Sequence, residues 1–196
     1  MNLERLLADL AAHTPADARE ADSLSWLQRF VAAPEDPLAR DNPVGHVTAS
    51  AVVARPGGDS FLLVFHRKLG RWLQPGGHVE YADPSAFGAA LREAREETGI
   101  VDFQSPLREA IFDVDVHGIP ERKNEPAHHH FDVRFLLTTE SPIDRAASDD
   151  PTRPIEWRSY EEAMASGVDA SLARAIEKAR RVLASAIRKE SRDAAV

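Results

Sequence analysis

Residues 76–100 read GGHVEYADPSAFGAALREAREETGI, and this stretch predicts a tight loop followed by a short helix. Gly76 and Gly77 interrupt a strand-like run and let the backbone approach a ligand closely. Either Asp83 or Ser85 can cap the first N–H groups of the helix, because both side chains carry an oxygen that accepts a hydrogen bond. We therefore expect a loop that positions the helix after it.

Three glutamates, Glu93, Glu96 and Glu97, stand at i, i+3 and i+4 of this helix and share one face. Each like-charged pair at this spacing destabilises a helix by ~0.2–0.5 kcal/mol. A divalent cation would offset that repulsion, and carboxylate oxygens suit Mg²⁺ or Mn²⁺. A solvated acidic face is the alternative interpretation of the same pattern.

The apolar residues of the helix predict how it packs. Phe87, Leu91 and Ala94 form a stripe that we expect to cover a sheet. Three small residues are expected to leave the acidic face unobstructed: Ala86, Ala89 and Ala90.

The order of these elements resembles the Nudix hydrolase box, G-x5-E-x7-R-E-U-x-E-E-x-G-U, where U is a bulky aliphatic residue. The matching positions are Gly77, Asp83, Arg92, Glu93, Glu96, Glu97, Gly99 and Ile100. Asp83 replaces a glutamate, one extra residue separates Asp83 from Arg92, and Ala94 is smaller than the family's aliphatic residue. The longer loop leaves the role of Asp83 open.

The resemblance implies an α/β fold, a Nudix-type α/β/α sandwich around a mixed sheet. It also implies metal-dependent hydrolysis of a phosphoanhydride bond in a nucleoside diphosphate linked to another moiety, with Mg²⁺ as cofactor and Mn²⁺ as a substitute. The metal ligands would be the Gly76 carbonyl, Glu93, Glu96 and Glu97, oriented by Arg92. The general base would be Glu96 or Glu97, with Glu80 or His130 in reserve.

The chain divides into three predicted parts: a helical extension (1–44), a Nudix domain (45–188) and a polar tail (189–196). Leucines at helical spacing predict two helices in the extension, which would cover the domain or help to form a dimer or a lid. Many Nudix enzymes are dimers, so the resemblance keeps a homodimer open.

Composition excludes several classes of function. The chain has no cysteine, so disulfides, thiolate metal sites and a cysteine nucleophile are excluded. The net charge of −8 argues against non-specific nucleic-acid binding. No apolar run is long enough to cross a membrane, and the start of the chain carries acidic residues where a signal peptide would be apolar. We expect a cytoplasmic protein that binds a small nucleotide or diphosphate.

Cationic and imidazole side chains are candidates for contact with the substrate. Arg67, Lys68 and Arg71 stand shortly before the glycine pair and can bind phosphate, or they are ordinary surface charges. In the predicted strand 128–137, alternation places His128 and His130 on one face with Asp132 and Arg134. These two histidines can hydrogen-bond a phosphate, accept a proton or bind a metal, with contact to phosphate or water favoured over metal ligation, or they are structural. Glu80 is a further candidate for contact with the substrate.

Other strands are predicted at 46–53, 61–65, 110–116 and 154–157, with a loop at 117–126. Ser159 and Glu162 predict a capping box, and a longer amphipathic helix follows.

Two rival functions remain open. A Nudix domain that only binds nucleotides usually lacks box glutamates, and all three are present here. The isopentenyl-diphosphate isomerase branch of the fold uses a cysteine, which this chain lacks. The substrate itself is not predicted.

Overall fold

The structure is a computed structural model that describes residues 1–122 and 126–193. Its helices and strands follow the chain in this order: α1 (Leu3–Ala12), α2 (Ala18–Val31), β1 (Gly45–Ala54), β2 (Ser60–His66), β3 (Arg71–Leu73), β4 (Gly76–His78), α3 (Ala86–Thr98), β5 (Asp113–Ile119), β6 (His128–Thr138), β7 (Ile155–Ser159), α4 (Tyr160–Ala165) and α5 (Ala170–Asp193). The predicted α/β class is confirmed.

Among the described residues, the strands form one seven-stranded sheet in the order β3-β2-β1-β6-β5, with β4 paired to β1 and β7 paired to β2. β4 runs antiparallel to the first half of β1, and β2 runs antiparallel to its end. The first half of β1 therefore has β4 on one side and β6 on the other.

The chain forms two compact units. The first contains Met1–Ser50, Gly76–Glu93 and Leu107–Phe135, and the second contains Ala51–Pro75, Ala94–Pro106 and Leu136–Val196. The strands β1 and β6 and the helix α3 each begin in the first unit and end in the second.

The core of the first unit lies between helices and one face of the sheet. Leu10 of α1 and Leu27 of α2 are fully buried in one cluster with Phe131 and Val133 of β6. The phenyl ring of Phe30 stacks on Phe131 at 3.9 Å between centroids. The predicted extension is thus part of this unit's core, while the three-part division of the chain stays a prediction.

The expected packing of α3 was wrong in part. The buried residues of the helix are its small ones, Ala86, Ala89, Ala90 and Ala94, together with Thr98. Phe87 and Leu91 are only half-buried, although Phe87 packs against Phe135 of β6 as expected. Alanines allow the backbone of α3 to lie close to its neighbours, which larger side chains would prevent.

The second unit has its own apolar core, in which β2 carries Phe61, Leu62, Leu63 and Val64, all nearly inaccessible to solvent. The helix α5 buries Leu172, Ile176, Ala179 and Leu183 at helical spacing, as its pattern predicts. Ser159 and Glu162 form the predicted capping box of α4.

Several predicted boundaries needed correction. β5 begins at Asp113 rather than at 110 and continues to Ile119, so the predicted loop 117–126 begins as strand. Residues 123–125 of that loop lie outside the described residues. α5 ends at Asp193 and so includes residues of the predicted tail, which itself stays a prediction. Across the described part of the chain, no helix has the length and apolar character needed to span a membrane.

Leu27→Ala tests whether α2 belongs to the folding core. The substitution leaves a cavity beside the sheet, so we expect the free energy of unfolding to fall by ~2–5 kcal/mol in urea denaturation. The control is Val101→Ala, because the Val101 side chain is 63% exposed. A loss below about 1 kcal/mol for Leu27→Ala would show that α2 contributes little to the core.

Candidate metal and phosphate site

The glycine pair of β4 is required by two close approaches. A Cβ atom on Gly76 would lie 2.3 Å from the Cβ of Ser50, its partner on β1. A Cβ on Gly77 would lie 2.6 Å from the carboxylate of Glu93. A side chain at position 76 would therefore collide with the β1 backbone, and one at position 77 would displace the Glu93 carboxylate from its place against β4.

Arg92 joins the strand, the loop and the helix of this motif. Its Nε and Nη2 atoms donate to the two carboxylate oxygens of Asp83, at 2.9 and 3.0 Å. Its Nη1 donates to Glu93 at 2.8 Å, and its Nη2 also donates to the carbonyl of His78 at 3.0 Å. The bond to Asp83 is the largest influence that raises the pKa of Arg92. Arg92 thus contacts Glu93, and its role in orienting the glutamates stays a prediction.

Asp83 reaches Arg92 despite the longer loop. The N–H of Glu80 donates to Asp83 at 2.8 Å, and the N–H of Asp83 donates to the Glu80 carbonyl at 3.1 Å. This tight turn absorbs the extra residue. Burial alone would raise the pKa of Asp83, but the bonds from Arg92 and Glu80 lower it overall.

Ser85 rather than Asp83 caps α3. Its hydroxyl oxygen accepts from the N–H of Gly88 at 3.0 Å. A Cβ on Gly88 would lie 2.7 Å from the ring of Pro84, so this glycine allows the loop to fold tightly over the first turn. Asp83 is left to bind Arg92.

The three box glutamates lie on α3, and all are half-buried. In the second unit, Arg153 donates to Glu97, and the carbonyl of Glu96 accepts from the N–H of Asp149 at 2.8 Å. Carboxylates are oxygen donors of the kind that Mg²⁺ prefers, and that of Glu93 lies against the Gly77 backbone. The residues therefore fit a hard divalent cation.

The three cationic side chains that are predicted to bind phosphate differ in their surroundings. Arg67 donates to the hydroxyl of Thr152 at 2.9 Å and lies 4.0 Å from Asp150, so its guanidinium already has partners. Lys68 and Arg71 are exposed. Phosphate contact stays a prediction for all three.

Glu80 lies in the first unit, where it lines an open cleft of about 540 Å³ together with residues 38–41, 79, 81 and 82. The side chain of Glu80 is exposed, so it can reach a ligand in that cleft. Its role as substrate contact or reserve base stays a prediction.

Strand alternation in β6 occurs as predicted. Phe131 and Val133 enter the apolar core, and the opposite face is polar. On that polar face, Asp132 accepts hydrogen bonds from Thr48 and Ser50 at 3.0 and 2.8 Å. Arg134 is 2% exposed and pairs with Asp132 at 2.9 Å. These two residues form a buried structural network.

The histidines occupy the same polar face. His128 is buried, and its Nδ1 donates to the carbonyl of Pro126 at 2.8 Å. His130 is half-buried, and its ring lies 4.9 Å from His46 and 5.5 Å from His78. Direct contact of His128 and His130 with substrate stays a prediction.

Sequence reasoning missed His46, His78 and Arg153. His46 could have been found from the sequence, because polar residues alternate along β1 at His46, Thr48 and Ser50. Nothing in the local pattern pointed to Arg153, because its partner Glu97 is distant in sequence.

A family model described as NUDIX domain matches residues 44–181. A protein of Lactococcus lactis subsp. cremoris named "Probable DHNTP pyrophosphohydrolase" is 38% identical over 101 residues, which are 50% of this chain and 57% of that protein. The chain thus spans little more than half the length of this relative.

Two solved structures are also similar. The Caenorhabditis elegans Ap4A hydrolase binary complex has a TM-score of 0.50 at 19% identity, covering 71% of this chain and 98% of that one. The MutT NUDIX hydrolase of Burkholderia pseudomallei has a TM-score of 0.49 at 24% identity, covering 67% and 95%. The first likeness bears on the fold alone.

Asp83→Asn tests the anchoring of Arg92. Loss of the charged acceptor is expected to lower the free energy of unfolding by ~1–3 kcal/mol at pH 7. Because the folded-state pKa of Asp83 is below its ordinary value of 3.8, its stabilisation is complete above that pH and lost as pH falls further. The gap between variant and wild type should therefore close below pH 3.8 in urea titrations.

The control for this measurement is Asp102→Asn, which removes an exposed carboxylate. An equal loss in both variants, or a gap that widens in acid, would contradict the assigned role of Asp83.

Proposed function

Because this chain belongs to the Nudix family, we propose that it hydrolyses a phosphoanhydride bond in a nucleoside diphosphate linked to another moiety. The observation that carries the proposal is the contact of Arg92 with Asp83, Glu93 and the His78 carbonyl. This arrangement fixes the loop against the helix that bears the carboxylates. It serves no evident purpose on a merely solvated acidic helix.

The proposed cofactor is Mg²⁺, with Mn²⁺ as a substitute, held by the carboxylates of Glu93, Glu96 and Glu97 and by the Gly76 carbonyl. When bound, such a cation would act as a Lewis acid: it would lower the pKa of a water molecule and stabilise the negative charge that develops on the substrate. The support for this assignment is the donor set, which consists of oxygen atoms alone.

The chain's own residues would position the reactants and move the proton. The oxygen of a water molecule forms a bond to phosphorus, the bridging P–O bond breaks, and the proton of the water passes to a carboxylate. We assign that carboxylate to Glu96 or Glu97, with Glu80 and His130 in reserve. Arg153 holds Glu97 in one orientation, and Arg92 does the same for Glu93.

Substrate phosphates would be bound by Lys68 and Arg71, which are exposed. Arg67 would also bind phosphate if it gave up its hydrogen bond to Thr152. Glu80 would contact the nucleoside end from the cleft that it lines. The substrate is expected to be a small molecule rather than a nucleic acid. A cytoplasmic location and a homodimer stay predictions.

The retained glutamates favour an enzyme over a domain that only binds nucleotides, because metal-assisted hydrolysis needs them and simple binding does not. The absence of cysteine disfavours the isomerase branch.

Glu97→Gln tests the proposed catalytic role. The amide keeps the shape of the side chain but loses its charge and basicity, so we expect less than about a tenth of the wild-type rate at saturating Mg²⁺. The assay is the release of nucleoside monophosphate from a panel of dinucleotides, nucleotide sugars and nucleoside triphosphates, with and without Mg²⁺.

The matched control is Glu161→Gln, an identical change at an exposed position of α4, which should leave the rate unchanged. Full activity of Glu97→Gln would remove Glu97 from the proposed mechanism. Failure of wild type to act on any member of the panel would favour a binding domain.

Thermal denaturation tests the cation site without an assay of activity. A cation that binds only the folded protein at 100 times its Kd adds about 2.7 kcal/mol to the free energy of unfolding. We expect Mg²⁺ to raise the Tm of wild type and not that of the triple variant Glu93→Gln, Glu96→Gln, Glu97→Gln. An undiminished shift in the triple variant would place the cation elsewhere.

A further inference from the structure

Histidines from three strands converge on the polar face of the first unit. His46 lies on β1, His78 ends β4 and His130 lies on β6, and one ring nitrogen from each lies within 4.8 Å of the others. The strands β4 and β6 are both neighbours of β1. The backbone of the sheet therefore places His46 between the other two.

His46 itself is the independent sign that something is bound here. The residue is 1% exposed, yet neither ring nitrogen has a hydrogen-bond partner among the residues that the structure describes. Its ring faces His78 at 4.8 Å and His130 at 4.9 Å between centroids. Buried polar atoms in native proteins nearly always have a partner, and an unpaired one costs ~1–3 kcal/mol. A bound ion would supply the partner.

We propose that His46, His78 and His130 bind a divalent transition-metal ion, Zn²⁺ or Co²⁺, at a site separate from the carboxylates of the Nudix box. Imidazole nitrogen suits these ions, whereas Mg²⁺ prefers oxygen. Tetrahedral zinc with Zn–N bonds of ~2.0–2.1 Å needs nitrogens ~3.3 Å apart. The present nitrogens lie within 4.8 Å of one another, so binding requires the rings to move closer together. Three protein ligands leave a fourth position open for water or a substrate oxygen.

The protonation states of the cluster agree with such a site. Burial, followed by the nearness of His78 and His128, lowers the pKa of His46 to about 4. Burial and the surrounding histidines lower the pKa of His130 to about 2. Both rings are thus neutral at pH 7, and a neutral imidazole has the lone pair that a metal requires.

The test is a titration of the metal-stripped protein with Co²⁺, followed by its visible absorption bands, and with Zn²⁺ in competition with a chromophoric chelator. We expect one equivalent of nitrogen-bound metal in wild type. In His46→Ala and His130→Ala the affinity should fall more than ~100-fold, since even the outer partners of metal ligands are worth ~10–100-fold.

His129→Ala is the matched control, because His129 belongs to the same strand but its ring packs on Trp26, at 4.7 Å between centroids. This variant should bind Co²⁺ as wild type does. Circular dichroism checks that every variant folds. If His46→Ala does not fold, His130→Ala decides the result, because His130 is only half-buried.

A double variant, Glu96→Gln with Glu97→Gln, separates this proposal from the proposed function. It should lose the response to Mg²⁺ and keep the cobalt spectrum. The histidine site would be overturned if wild type bound no equivalent of Co²⁺ tightly, or if His130→Ala bound it as wild type does. Loss of the cobalt spectrum in the double glutamine variant would also overturn it. Reduced hydrolysis by His130→Ala with unchanged metal binding would also overturn it and assign His130 to the substrate.

Discussion

The guanidinium of Arg92 is the interaction on which the candidate site depends. It is bound by both oxygens of Asp83, by Glu93 and by the backbone carbonyl of His78. Because a planar guanidinium donates in fixed directions, these bonds fix the distance between β4 and α3. Gly77 completes the arrangement, since any side chain there would displace the Glu93 carboxylate.

Much of this arrangement could be predicted from the sequence because it is local. The three glutamates, the glycine pair and the arginine all lie within the 25 residues 76–100. In the helical part of this stretch, helix geometry determines which side chains share a face. The substitution of Asp83 for glutamate was harder to interpret. Only the turn between Glu80 and Asp83 shows that the shorter side chain reaches Arg92 despite the extra residue.

The histidine cluster depends on which strands are neighbours in the sheet. The alternation of side chains along a single strand does not show that. His130 was assigned to the correct face of β6, but its partners His46 and His78 come from strands that adjoin only in the folded sheet. The packing of α3 through alanines was also missed. Hydrophobic stripes favour large residues as core positions, whereas a helix that lies close to its neighbours buries small ones.

The most direct test of the central claim is the affinity for Mn²⁺, measured by electron paramagnetic resonance, in wild type and in Arg92→Lys. Lysine keeps the positive charge, but the three N–H groups of its single nitrogen cannot replace the four bonds that Arg92 donates. If Arg92 orients the carboxylates that hold the cation, the Kd for Mn²⁺ should rise by ~10–100-fold in a variant that remains folded. An unchanged Kd would show that the carboxylates do not depend on Arg92 and would contradict this account.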